Sequence, residues 1–288
     1  MKFTFNITTA EMLRTFLQRQ RFSKRTISAI KHNGALIVNG ESVTVRAQLK
    51  HGDVLEVLLA DETPSTNLLP YKQPLTILYE DPYLIAVSKS ANQNCAPSRD
   101  HLHYSVAEQV LGYFQAHETT SVPHIITRLD RNTSGIVIIA KHGFIHHLMS
   151  QTQIDKQYLC VCRGEVARSD LIDAPIARHP DSIIQRCVDE NGKKAQTRFE
   201  RLDVTQINRH TYSLCAVTLL TGRTHQIRVH FQHIGHPLVG DDLYGGAHDE
   251  YAHQLLRCRQ VTFNHPINNQ KIIINDKYDA IESIFNML

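Results

Sequence analysis

Arg128-Leu129-Asp130-Arg131-Asn132-Thr133-Ser134-Gly135 is the stretch of this chain whose residue types could do chemistry. One carboxylate sits between two arginines and is followed by small hydrogen-bonding residues. Two guanidiniums so close would keep Asp130 ionised and could also hold a phosphate. An ionised carboxylate beside an anion site suits a nucleophile or base acting on a nucleotide. The plainer alternative is a surface ion pair at a strand end, worth only ~0–1 kcal/mol.

A second dense stretch runs from Thr221 to His230, Thr-Gly-Arg-Thr-His-Gln-Ile-Arg-Val-His, and continues through His233, Gly235-His236-Pro237 and Gly240-Asp241-Asp242-Leu243-Tyr244-Gly245. Histidines 225, 230, 233 and 236 raise the question of a metal. Arg223 and Arg228 would add positive charge beside the ion, and no carboxylate falls at a metal-motif spacing before Asp241. Histidines bonded to backbone or nucleic acid fit better, with the two arginines serving phosphates or a carboxylate partner. Phosphoryl transfer through Asp130 would want a second acid close by for magnesium, and the residues after Asp130 supply none.

The elements that must position these groups are legible as patterns. Ile136–Ala140 is an uninterrupted apolar run directly after Gly135, so Asp130 lies in a loop before a buried strand. Leu75–Tyr79 and Tyr83–Lys89 flank a Glu80-Asp81-Pro82 turn. Ser105–Phe114 has helical spacing at Val106, Val110, Leu111 and Phe114, Phe144–Met149 a short helix after Gly143, and Gln157–Cys162 another strand. Upstream, Leu13, Phe16 and Leu17, then Phe22, Ile27 and Ile30, mark two short helices. Ser23 is placed to cap the second and Gly34 to end it. Asn39-Gly40 between apolar runs signals a hairpin, and Val54–Leu58 a closing strand. Residues 60–74, polar and carrying Pro64, Pro70 and Pro74, form a linker.

Composition narrows the class. A 288-residue chain, 42% hydrophobic and 20% charged, is a packed protein of one or two domains. Its net charge of +3 is unevenly spread. Residues 1–60 hold 9 Lys/Arg against 4 Asp/Glu, and the remaining residues 22 against 24. A small basic head on a near-neutral body suggests a polyanion-binding module joined to a working domain, with Lys24, Arg25 and Lys31 turned to solvent. The six scattered cysteines show no zinc or disulfide spacing and read as reduced thiols. With neither a signal-peptide pattern at the start nor a membrane-length apolar run, a soluble, cytoplasmic protein is expected.

Taken together, Arg128–Gly135 with its following strand and Lys141, Gly222–His230 with His236-Pro237 and Gly240–Gly245, and Lys156-Gln157-Tyr158 closely resemble the signatures of RluA-type pseudouridine synthases. Ile176 to Pro180, Gly192–Thr197 and His265-Pro266 add weaker agreement, and the match spans roughly 75–270. The head, over roughly 12–59, resembles the small RNA-binding domain of the ribosomal-protein S-four type, in which the second helix meets RNA. These resemblances imply an α+β protein: a small α/β RNA-binding domain (1–60), a linker (61–74) and a catalytic domain (75–288). The catalytic domain is expected to have a mixed, largely antiparallel central sheet with peripheral helices.

The implied reaction is isomerisation of uridine to pseudouridine within RNA, without cofactor or metal. Asp130, Tyr158 and Arg228 carry it: Asp130 as nucleophile or base, Arg228 more than Arg223 as its ion-pair partner, and Tyr158 against the target base. Arg128, Arg131, Arg223, His225 and, in the head, Lys24, Arg25 and Lys31 would bind RNA. Thr133 and Ser134 would brace the Asp130 loop. Ribosomal RNA is favoured over tRNA, and a monomer is expected. The alternatives are a tRNA enzyme and a non-catalytic RNA-binding assembly factor. Three positions depart from the family pattern. Thr127 replaces a usual His and so could alter substrate contacts, Ser90-Ala91-Asn92 replaces Pro-Ala-Gly, and Arg257-Cys258 replaces His-Ala.

Overall fold

The computed structural model describes residues 1–207, 209–247, 250–277 and 281–287. The head contains β1 (Lys2–Asn6), β2 (Glu11–Met12), α1 (Leu13–Arg19), α2 (Lys24–Asn33), β3 (Ala35–Val38), β4 (Glu41–Ser42), β5 (Gln48–Leu49) and β6 (Val54–Leu58). Ser23 caps α2 by accepting a 3.0 Å hydrogen bond from the Thr26 amide. Asn39 and Gly40 both have positive φ, 51° and 87°, the hairpin turn their types predict. Gly34 closes α2 in extended backbone, and it must be glycine because a Cβ there would fall 2.3 Å from the Leu58 carbonyl oxygen. The antiparallel sheet β1-β6-β3-β4 backs the two helices.

The body comprises β7 (Ile77–Glu80), β8 (Leu84–Lys89), α3 (Val106–Ala116), β9 (His124–Ile125), β10 (Ser134–Ala140), α4 (Gly143–Met149), β11 (Ile154–Arg163), β12 (Ser169–Asp173), β13 (Ile176–Arg178), β14 (Arg186–Val188), β15 (Gln196–Ile207), β16 (His210–Leu219), α5 (Gln226–His233), β17 (Leu256–Asn264), β18 (Lys271–Asn275) and α6 (Ile281–Met287). A ten-stranded sheet runs β12-β15-β16-β11-β17-β10-β8-β7, with β18 on β17 and β9 on β10. Among the described residues only the β10–β17 pairing in it is parallel, so the sheet is mixed and largely antiparallel as expected. The central strand β10 is buried throughout its Ile136–Ala140 run, as an unbroken apolar segment requires. Ser105 and Glu108 form a reciprocal capping box that starts α3.

Head and body share one hydrophobic core. Phe22 stacks on Phe144 of α4 with centroids 4.3 Å apart, and Phe3 stacks on Tyr83 at 5.8 Å. Residues 61–74 contain no helix or strand but are strapped to the body. Glu62 accepts from the Gly143 amide at 3.0 Å and pairs with His124 at 2.9 Å, and the Tyr71 amide donates to the Glu108 carbonyl.

Candidate active site

Asp130 sits in a loop fixed from several sides. Its own carbonyl accepts from the Thr133 amide at 3.0 Å, closing a turn. Both backbone groups of Leu129 meet the Cys95 sulfur. Thr133 is buried and its hydroxyl accepts from Gln254. Lys89, at the end of β8 and only 1% exposed, donates to the carbonyls of Ser90, Gln93 and Arg131, each at 2.8 Å. Burial pushes the Lys89 ammonium down to about 8, with Cys95 and Asp130 only partly restoring it. Three carbonyl acceptors match its three N–H donors.

Gly135 joins this loop to β10. Its φ is +110°, and a Cβ there would lie 2.2 Å from the Cys258 carbonyl oxygen. Glycine is required on both counts. Cys258 of β17 faces Gly135 on one side and Tyr158 of β11 on the other. That lateral line across three strands brings Tyr158 to the Asp130 loop. A register shift between Gln157 and Tyr158 re-aims the tyrosine at this point. Burial pushes the Tyr158 phenol well above its ordinary range, so the side chain is a neutral phenol.

Arg228 enters from α5, buried. Its Nε and Nη2 donate to the two oxygens of fully buried Asp241 at 2.7 and 2.8 Å, and its Nη1 lies 3.5 Å from Asp130 Oδ2. Its guanidinium covers the Tyr244 ring at 4.9 Å. Burial works against the charge, but Asp241 outweighs it and raises Arg228 above its ordinary value. The Tyr244 hydroxyl accepts from the Arg186 amide at 2.9 Å and shares a hydrogen bond with His225 Nδ1, also at 2.9 Å. His225 Nε2 faces Asp130 Oδ2, 3.8 Å away. Burial lowers the His225 pKa, keeping the ring neutral.

Asp130, Tyr158, His225 and Arg228 line one cleft of about 720 Å³, together with Arg128, Arg131 and Arg223. Lys24, Arg25 and Lys31 are exposed on α2 and stand outside it. The arginines flanking Asp130 do not serve as its charge partners. Arg131 bonds to His101, and among the described residues the ion pairs of Asp130 run to His225 and Arg228. Side chains adjacent in a turn diverge, so neighbours in sequence are not neighbours in space. Arg223 spends its Nε on the Lys194 carbonyl, 3.0 Å away. Among the described residues no three His, Cys, Asp or Glu side chains gather to hold a metal. His230 is instead buried between Thr197 and the Ala174 carbonyl.

Thr127 is buried, and its hydroxyl accepts from the Ile138 amide at 2.9 Å. It braces the loop against β10. Arg257 bonds to Ser88 and Asp276, tying β17 to β8 and the chain beyond β18, while Cys258 supplies the contact between Gly135 and Tyr158. Sequence reasoning missed Lys89 and the roles of Asp241, Tyr244 and Cys95. Lys89 left one signal, a lysine ending an otherwise apolar strand.

Residues 83–233 match the RNA pseudouridylate synthase family. The chain belongs to that family. It is 43% identical over 256 residues to an uncharacterized RNA pseudouridine synthase of Bacillus subtilis, YjbO, covering 87% of this chain and 89% of that protein. It is 30% identical over 271 residues to ribosomal large subunit pseudouridine synthase D of Xanthomonas campestris, covering 87% and 80%. The fold is similar to human RNA pseudouridylate synthase domain containing 1, with a TM-score of 0.60 at 23% identity over 76% of this chain and 87% of that one. The protein is thus an RNA pseudouridine synthase, an isomerase.

Proposed function

We propose that Asp130 drives the isomerisation, that its target is a uridine of large-subunit ribosomal RNA, and that residues 1–60 form an RNA-binding head of the ribosomal-protein S-four type. The observation that carries the proposal is the convergence of Asp130, Tyr158 and Arg228 on one cleft from three distant parts of the chain. The bond from ribose C1′ to uracil N1 breaks, the ring turns, and C5 bonds to C1′. C5 then loses its proton and N1 gains one, so the product is an isomer. Asp130 acts either by attacking C1′ or by removing a ribose proton to give a glycal. Arg228, held by Asp241, keeps a fixed positive charge beside the carboxylate. The neutral Tyr158 phenol packs against the base. Taking the C5 proton would first require losing its own, which its burial opposes.

Reaching a stacked uridine requires extruding it, at a cost of a few kcal/mol. Arg128, Arg131, Arg223 and His225 at the cleft, and Lys24, Arg25 and Lys31 on the head, offset that cost through the phosphate backbone. The ribosomal target rests on relatives such as the Xanthomonas enzyme and on a head suited to a large structured RNA. Six free cysteine thiols suit a reducing compartment, which supports a cytoplasmic location. Among the described residues no helix is long and apolar enough to cross a membrane.

Tritium release from C5-labelled uridine tests this, in large-subunit ribosomal RNA and bulk tRNA transcripts with chelator present. Release from ribosomal RNA by wild type and none by Asp130→Asn is expected. Release from tRNA alone would move the target. Release undiminished by Asp130→Asn would overturn the assignment of Asp130, and no release by wild type from either RNA would favour a non-catalytic assembly factor.

A further inference from the structure

The hairpin β13–β14 carries the feature that the active site leaves unexplained. Ile183 is 84% exposed and Ile184 64%. Single exposed apolar residues are ordinary, but here two large ones sit side by side at a loop tip. The tip is braced: the Ser182 hydroxyl accepts from the amides of Ile184 and Gln185, and Arg186 Nη1 donates to the carbonyls of Ile184 and Gln185. His179 and Gln185 close it with a backbone bond of 3.2 Å. Two isoleucines are thus presented to solvent in a fixed pose.

The base of the hairpin is wired to the cleft. The Gln185 side chain donates to the Leu243 carbonyl, and the Arg186 amide to the Tyr244 hydroxyl, which in turn holds His225 beside Asp130. Ile184 is two residues from Arg186, about 7 Å along an extended chain. Arg178 and Arg186 flank the tip, and Asp181 is its one acidic residue. An apolar pair set between cationic side chains, beside a cleft that acts on a base, matches a nucleic acid helix: phosphates for the arginines, a base step for the isoleucines.

We propose that Ile183 and Ile184 form an apolar wedge that enters the RNA next to the target uridine and fills the stacking space the extruded base leaves. This deepens the isomerase reading and rests on it. The wedge lowers the cost of extrusion and has no part in the bond changes, so its effect appears only where the uridine starts stacked.

The chain contains no tryptophan, so Ile183→Trp introduces a single reporter at the tip. Titration with a large-subunit ribosomal RNA transcript should quench its fluorescence through base stacking, and polyphosphate, which has no bases, should not. No quenching at saturation, or equal quenching by polyphosphate, would overturn the wedge. In parallel, the Ile183→Ala/Ile184→Ala double variant should be assayed in single turnover on two oligonucleotides carrying the uridine that the wild type modifies. It should be slower by about tenfold where that uridine is paired, and within about twofold of wild type where it is bulged. Equal losses on both, or no loss on either, would also overturn it. Absence of tritium release by wild type would sink the isomerase reading, while the quenching result would still decide whether the tip meets bases.

Discussion

Arg228 gives two nitrogens of its guanidinium to Asp241, at 2.7 and 2.8 Å, and holds only Nη1 near Asp130, at 3.5 Å. Asp241 is the structural partner and Asp130 the poised one. A carboxylate that must react cannot also be spent as the arginine's bidentate anchor.

The division of labour predicts different costs for the two carboxylates. Asp241→Asn breaks a buried ion pair and should cost ~3–5 kcal/mol of stability, with activity falling as Arg228 shifts. Asp130→Asn removes a partly exposed, looser partner and should cost under ~1 kcal/mol while abolishing tritium release. Denaturant unfolding of both variants checks this, and equal stability losses would refute the assignment.

Lys89 should make activity and stability diverge with pH. Above about 8 its ammonium becomes an amine with two N–H donors for three carbonyls, loosening the Asp130 loop, so activity should fall. Stability runs the other way. The folded pKa is below the ordinary 10.5, so the unfolded chain binds more protons in between and stability rises with pH. Lys89→Met lacks this titration, so the stability gap between wild type and variant should widen from pH 8 towards 10.5. A gap that narrows over that range would contradict the linkage.

Gly135→Ala should be disruptive although it adds one methyl group. The new Cβ meets a backbone carbonyl, not a yielding side chain, at a φ that alanine disfavours. A loss of ~2–4 kcal/mol is expected, with activity reduced through the displaced loop. Thermal unfolding within about 2 °C of wild type would show that β17 can move aside.

Asp81 ties the β7–β8 turn to Tyr79, Tyr83, Leu84 and His265. Burial opposes its charge, but these hydrogen bonds prevail and hold it down to about 2. Its contribution is complete above the ordinary carboxylate range and is lost as pH falls towards 2. Asp81→Asn should therefore be destabilised by ~1–2 kcal/mol at neutral pH. The deficit should shrink below about pH 4; a pH-independent deficit would show that charge is not the cause.

Replacing Lys24, Arg25 and Lys31 together by Gln should weaken RNA binding and lower the salt slope by about 2–3. Deleting the head is the poorer experiment, because it would uncover Phe144 and Tyr83, on which Phe22 and Phe3 stack. Affinity unchanged at every salt concentration would exclude the head from RNA contact.

The sequence by itself determined the local elements: the Asp130 loop before an apolar strand, the strand bearing Tyr158, the two helices of the head with the Ser23 cap on the second, and the Asn39-Gly40 turn. Each depends on residues within a few positions of one another, through periodicity, capping and turn chemistry. It also exposed the two dense motifs that mark the family. Only the tertiary structure decided that Arg228 belongs first to Asp241, that Asp130 takes its ion pairs from Arg228 and His225 and not from the arginines beside it, that Thr127 is a buried brace, and that Lys89 fastens the loop. These facts hinge on which strand lies beside which and on where side chains point after pairing. Gly135, Cys258 and Tyr158 meet through strand register across more than a hundred residues, a relation that no local pattern encodes.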